Sequence, residues 1–251
     1  MFDLSQQVAF VTGGAQGIGK GIALELAKAG ADIIVADINK EKAETVAADI
    51  KGLGRIAIAL YLDVTNTESV KCAIQDALGQ FLRIDILVNN AGIMTESPDN
   101  PVDDQRYDVC LDVNLKGVWR MATEIAPHFK SLKSGKIINI ASINGRTPNP
   151  ATPIYSAAKA GVISLTQSLA ANLGEDNINV NAICPGGIIT AMADAYSDNK
   201  DAVQQQIIDT RILKRRLEPS DIGAAVAFFA SEQSRNITGQ TLNVDGGAVM
   251  S

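Results

Sequence analysis

The chain has 251 residues, of which 46% are hydrophobic and 20% charged. That balance excludes disorder and collagen-like repeats, and the length supports a sizeable core without disulfide or metal staples. A formal charge of −6, with one Trp, four Tyr and six Phe, lacks the general footprint of a nucleic-acid binder.

Cys72, Cys110 and Cys184 are odd in number and far apart, which predicts buried or half-buried thiols in a reducing compartment. The single histidine, His128, rules out a zinc site with two histidine ligands and is expected in a packing or surface role. Met1 to Ser5 carries no basic stretch ahead of an apolar run, and nothing approaches ~20 uninterrupted apolar residues. The expectation is a soluble, cytoplasmic protein with no metal, no membrane and no nucleic-acid partner.

From Val8 onward, short apolar runs alternate with amphipathic stretches. Val8–Val11 is a β-rich run ending at Thr12, and a helical pattern follows from Gly17 to Ala29, stopped by Gly30. Asp32–Ala36 is the next strand, Lys40–Ile50 a helix, and Ile56–Leu62 the third strand. Thr67 is the expected N-cap of a helix over Thr67–Phe81. Ile86–Val88 leads into Asn89-Asn90-Ala91-Gly92, and Val102–Leu132 is helical, with Pro127 expected to bend or break it. Lys136–Ile140 and Asn179–Cys184 are strands around a helix over Thr152–Leu173; Pro219–Ala230 is a helix and Thr241–Val244 the last strand.

No Pro-, Gly- or Ser-rich linker interrupts this alternation. It predicts one α/β domain over residues 1–251: a Rossmann-type, doubly wound, parallel seven-stranded sheet with helices on both faces. Ligands of such sheets lie beyond the carboxyl ends of the strands, where strand order reverses. Residues that directly follow strands are therefore the candidates.

Thr12-Gly13-Gly14-Ala15-Gln16-Gly17-Ile18-Gly19 follows the first strand and opens the first helix. Gly13, Gly17 and Gly19 allow a tight turn and close approach to a pyrophosphate, met by amides and the helix N-terminus. Asp37 lies 18 residues beyond Gly19, where a carboxylate accepts hydrogen bonds from ribose hydroxyls; a helix N-terminal charge is the alternative. Asp63 and Val64 follow the third strand and Asn90-Ala91-Gly92 the fourth, although Asp63 or Thr65 would serve equally as a cap.

Tyr155 and Lys159 are four apart on one helix face, after Thr152 as N-cap and Pro153 at the first helical position. A phenol is a poor base at neutral pH, and a nearby ammonium with the helix dipole is expected to lower its pKa. Ser142 precedes Tyr155 by 13 residues, directly after a strand, and Asn114 lies on the helix before that strand.

These elements together resemble the short-chain dehydrogenase/reductase family. The glycine spacing matches its TGxxxGxG form, and Asn114, Ser142, Tyr155 and Lys159 resemble its catalytic tetrad. Pro185-Gly186-Gly187-Ile188-Ile189-Thr190 is similar to its PGxIxT segment. The resemblance implies that Gly13, Gln16, Gly17, Ile18, Gly19, Asp37, Asp63, Val64, Asn90, Ala91, Gly92, Pro185, Gly186, Ile188 and Thr190 bind the cofactor along with Tyr155 and Lys159. It implies Tyr155 as acid/base, Ser142 holding the substrate oxygen, Lys159 tuning the phenol and binding the nicotinamide ribose, and Asn114 holding a water. Asp37, with uncharged Gln16 and Ile38 where the family places basic residues for NADP, points to NAD.

The expected activity is interconversion of a secondary alcohol, such as a polyol or sugar, and its ketone. A 3-oxoacyl thioester reductase and a non-catalytic dinucleotide sensor are the alternatives. Specificity is expected from Ile93–Pro101, Ile143–Ala151 and Ala191–Leu213, with a substrate loop or lid over about 190–213. Asn144 and Arg146 would either bond a polar substrate or shape their loop. The resemblance also implies a homotetramer, paired across two-fold axes through helices around Asp103–Lys130 and Thr152–Leu173 and through the C-terminal helix–strand unit; Ala157, Ala158, Ala160 and Gly161 permit close helix approach.

Overall fold

Seven parallel strands make one sheet in the computed structural model, which describes residues 2–96, 102–188 and 200–250. They are β1 (Val8–Thr12), β2 (Asp32–Asp37), β3 (Ala57–Tyr61), β4 (Ile86–Asn89), β5 (Gly135–Ile140), β6 (Ile178–Pro185) and β7 (Thr241–Val244). Their order is β3-β2-β1-β4-β5-β6-β7. The chain moves outward from β1 to β3 and returns to lay β4 against the other side of β1, with Val11 opposite Val88. Strand order reverses there, so the carboxyl ends of β1 and β4 flank the crevice where such sheets bind ligands.

Both faces of the sheet are covered. β1 is buried throughout; Ala9 and Val11 join one core and Phe10 the opposite one, as period-two alternation requires. On the first face lie α1 (Gly17–Lys28), α2 (Lys40–Gly52) and, numbered last in the chain, α8 (Pro219–Ala230). The second face carries α3 (Thr67–Phe81), α5 (Gly117–Leu132) and the carboxyl-terminal part of α6 (Pro153–Leu173). Two further helices, α4 (Asp104–Leu111) and α7 (Lys200–Asp209), lie between these elements in sequence. Among the described residues no helix is long and apolar enough to cross a membrane.

Several local expectations are corrected. Asn66, one residue earlier than Thr67, caps α3 by accepting from the amides of Glu68 and Ser69. The helical region before β5 is interrupted at a π-helical turn, Asp112–Lys116, and is unbroken at Pro127. The buried stripe of Met121, Ala122, Ile125 and Phe129 spans the proline, so packing outweighs its one missing backbone hydrogen bond. Cys110 and Cys184 are buried as expected, whereas Cys72 is exposed on α3. His128 is a packing residue, with Nε2 3.1 Å from the Ile84 amide nitrogen.

A buried polar relay fixes α6 to the sheet. Asn89 donates to Asn139 at 2.9 Å across the paired β4 and β5, and Asn139 donates to the Thr166 hydroxyl at 2.9 Å. Bonds of this kind are directional, so they set the height of α6 along the sheet as apolar contact alone does not.

Candidate active site

The turn after β1 is closed by side chains from β4. Asn90 donates to the carbonyls of Thr12 and Gly13 at 3.0 and 2.9 Å, and the Thr12 hydroxyl accepts from the amides of Asn90 and Ala91. Gly13 holds φ +62°, and a Cβ at Gly19 would stand 2.0 Å from the Gly13 carbonyl oxygen. Only glycine fits that approach. Gln16, the N-cap of α1, makes no side-chain cap, and no acidic residue occupies the first turn. The loop thus presents a helix N-terminus with no capping side chain from Gln16, the arrangement that receives phosphate. Gly17 and Ile18 form the first positions of α1.

Asp37 ends β2 beside this loop. One carboxylate oxygen accepts from the Ala15 amide at 3.0 Å and the other from the Asn39 amide at 2.9 Å. Next to it, Lys42 donates to the Gln16 side chain at 3.2 Å, a basic group that the motif positions in the sequence do not reveal. Asp63 accepts from both the amide and hydroxyl of Thr65 in the turn ahead of α3, whose cap is Asn66 and neither of these two, and Val64 is buried with its carbonyl bonded by Arg120.

Beyond β4, β5 and β6 the candidate catalytic side chains converge. Asn114 sits in the π-helical turn, fully buried, and its amide pairs with both backbone groups of Ile93 while also donating to the Cys110 carbonyl at 2.9 Å. π-helical insertions are frequent at functional sites, and this one carries Asn114 inward. Ser142 is buried just past β5, in hydrogen-bond contact with the Tyr155 phenol. Lys159 is buried, donates to the Ile140 carbonyl at 2.9 Å, and places Nζ 5.6 Å from the centre of the Tyr155 ring. A Cβ on Gly92 would fall 2.8 Å from Asn114 Oδ1 and 3.5 Å from Lys159 Nζ, so that glycine makes room for both.

The electrostatics reverse the expectation of a lowered phenol. Burial pushes the Tyr155 phenol up to about 12, with the Ser142 hydrogen bond only partly opposing it. Burial likewise pushes the Lys159 ammonium down to about 8. Desolvation penalises both charged forms and is the largest cause of each shift.

Gly186 hydrogen-bonds the Val244 carbonyl at 3.0 Å and leaves no room for a Cβ against Asp245, which fixes the turn after Pro185. Ile188 packs against the first core, and Thr190 lies outside the described residues. Two groups emerge that local pattern does not reveal. Arg211 is buried and bonds the carbonyls of Gly187 and Arg215, anchoring the end of the 190–213 segment. Glu96 is buried too, and accepts from the amides of Ile154 and Tyr155 at the start of α6. Arg146 donates to the Thr241 carbonyl at 2.7 Å, so it shapes its loop. Among the described residues no cluster of His, Cys, Asp or Glu is placed to hold a metal.

Residues 13–249 match the family profile described as enoyl-(acyl carrier protein) reductase. The chain belongs to the short-chain dehydrogenase/reductase family. It is 41% identical over 243 residues to the 3-oxoacyl-(acyl-carrier-protein) reductase FabG of Staphylococcus aureus, covering 96% of this chain and 98% of that one. A 3-ketoacyl-(acyl-carrier-protein) reductase from Brucella melitensis, solved with NADH, superposes with a TM-score of 0.91 at 34% identity, covering 99% of this chain and 100% of the other. A candidate gluconate dehydrogenase from Agrobacterium tumefaciens gives a TM-score of 0.93 at 30% identity, covering 99% of each. This short-chain dehydrogenase/reductase is thus an oxidoreductase that binds a nicotinamide dinucleotide.

Proposed function

We propose that the enzyme interconverts a small secondary alcohol, of the polyol or sugar class, and its ketone, with NAD as the preferred cofactor. The observation that carries this reading is Asp37, a carboxylate at the end of β2 held beside the glycine loop by the Ala15 amide. A 2′-phosphate would bring like charge against it, whereas ribose hydroxyls would donate to it. Gln16, Gly17, Ile18 and Gly19 would receive the pyrophosphate, Asp63 and Val64 the adenine end, and Asn90, Ala91 and Gly92 the middle of the cofactor. Pro185, Gly186, Ile188 and Thr190 would line the nicotinamide.

When bound, the nicotinamide supplies or accepts the hydride. Tyr155 would give a proton to the carbonyl oxygen or take one from the hydroxyl, and Ser142 would hold that oxygen. Lys159, between the Ile140 carbonyl and the Tyr155 ring, would stabilise charge on the phenol and bind the nicotinamide ribose. The Asn114 side chain is committed to Ile93 and Cys110, so the backbone of its π turn is what remains to hold a water linking Lys159 to solvent. We assign substrate selection to the segments flanking this centre, including 190–213, within one catalytic unit spanning the chain.

The identity to the S. aureus reductase favours a second reading, reduction of a 3-oxoacyl thioester. NADH absorbance separates the two. A panel of polyols, sugars and diols with NAD should give turnover, and a 3-oxoacyl thioester with NADPH should give little; the opposite pattern selects the second reading.

We also infer a homotetramer. Tyr107, Val109 and Trp119 on α4 and α5 are exposed, and a groove of about 590 Å³ there is lined by Val109, Leu111 and Leu115 among others. Exposed apolar surface of this kind marks contact between protein copies. Light scattering at micromolar concentration should give four times the chain mass; a monomer would contradict it.

A further inference from the structure

The first turn of α6 is capped by a residue from a distant part of the chain. Thr152 occupies the N-cap position, yet its hydroxyl is buried with no hydrogen-bond partner. Glu96, a residue 2% exposed, does the capping: its two carboxylate oxygens accept from the Ile154 amide at 2.7 Å and the Tyr155 amide at 2.8 Å. Burying a carboxylate is costly unless its charge is met. Here it is met by two charge-assisted hydrogen bonds and the positive end of a 21-residue helix.

The amides that Glu96 accepts from belong to the part of a helix that has no internal partners and frays most readily. Tyr155 is the third residue of that turn. The same loop is clamped a second time three residues earlier, where Asn114 pairs with both backbone groups of Ile93. The segment from Gly92 to Glu96 therefore joins the π turn and the α6 N-terminus as one rigid strap.

We propose that Glu96 is a positioning residue for Tyr155, its carboxylate holding the first turn of α6 so that the phenol stays on Ser142 and over Lys159. The proposal rests on the reading of Tyr155 as the acid/base, and extends it to a residue that touches neither substrate nor cofactor. Glu96 meets the backbone of the turn and not the phenol; the titratable groups around the phenol are Lys159 on the same helix, Cys110 from α4 and Cys184 from β6, with the Ser142 hydroxyl beyond β5.

The test compares Glu96→Gln with wild type. Glutamine keeps the size but turns one acceptor into a donor facing an amide N–H, and it removes the negative charge. With the best alcohol of the panel, kcat should fall roughly 10–100-fold, the cost of slight misplacement of a reacting group. The dissociation constant for NADH should stay within about twofold, since the lost contact lies outside the cofactor residues. Glu96→Asp, still an anion, should recover part of kcat. A second readout needs no substrate: the tyrosinate absorbance of each protein minus that of its Tyr155→Phe counterpart isolates the phenol. Displacing the phenol from Ser142, the group that favours phenolate, should move this titration to higher pH in Glu96→Gln. An unmoved titration with wild-type kcat would overturn the proposal, as would equal losses of kcat and NADH affinity together with a lowered Tm. If no alcohol is turned over by wild type, the function reading fails, and the titration alone decides the role of Glu96.

Discussion

The two halves of the sheet edge are built differently. The half around β1, β2 and α1 is made of neighbours in sequence: a glycine turn, a helix N-terminus and Asp37, tied together by the Ala15 amide. The half around β5 and α6 is assembled from distant pieces. Its Tyr155 and Lys159 share a helix, but Ser142 comes from beyond β5, Asn114 from a π turn and Glu96 from the loop after β4. The first half is held together within one βαβ unit. The second is a set of mutual constraints, so a substitution there can act through residues far from it in sequence.

Lys159→Ala should have the largest effect, because Lys159 is assigned to both halves. Turnover should fall by at least the ~10²–10⁴-fold typical of lost acid/base catalysis, and NADH affinity should fall with it. Steady-state kinetics and fluorescence titration of NADH measure the two losses; an unchanged affinity would confine Lys159 to the chemistry. Asp37→Ala should act on cofactor choice alone. Wild type should prefer NAD by at least the ~tenfold that 1.4 kcal/mol confers. The variant should lose that preference, chiefly through better use of NADP, as kcat/KM for each cofactor on one substrate would show. The smallest expected effect belongs to Lys42→Ala. Its ammonium lies on Gln16, the nearest basic group identified beside the ribose edge, and it should support whatever NADP use wild type retains. Removal should lower kcat/KM for NADP a few-fold, by about the energy of one exposed ion pair, and leave NAD unchanged.

Sequence made the fold and the first half legible because their signals are local. Strand runs, glycine spacing and an acidic residue at a strand end all lie within one βαβ unit. The helix spans Thr67–Phe81 and Pro219–Ala230 follow from apolar period, and the structure places them at those residues, although Asn66 and not Thr67 caps the first. The π turn was illegible because Asp112–Lys116 reads as ordinary helix, while the contacts it makes with α6 lie far along the chain. Glu96 was illegible for another reason: its partners are 58 and 59 residues away, and a threonine-proline pair at the helix start already fits the expected cap. The unpartnered Thr152 hydroxyl shows where that local rule yielded to a tertiary contact. The sign of the Tyr155 shift failed likewise, since residue identity reports the neighbouring ammonium but not the depth of burial.

The central claim is that the proton moves through the Tyr155 hydroxyl, which cofactor binding does not require. Tyr155→Phe tests it most directly, since it removes one hydroxyl and keeps the ring over which Lys159 lies. Turnover and NADH affinity should be measured on the same preparation of the variant. The account predicts a ~10²–10⁴-fold or greater loss of kcat with NADH binding nearly unchanged. A variant that turns over near the wild-type rate would contradict it.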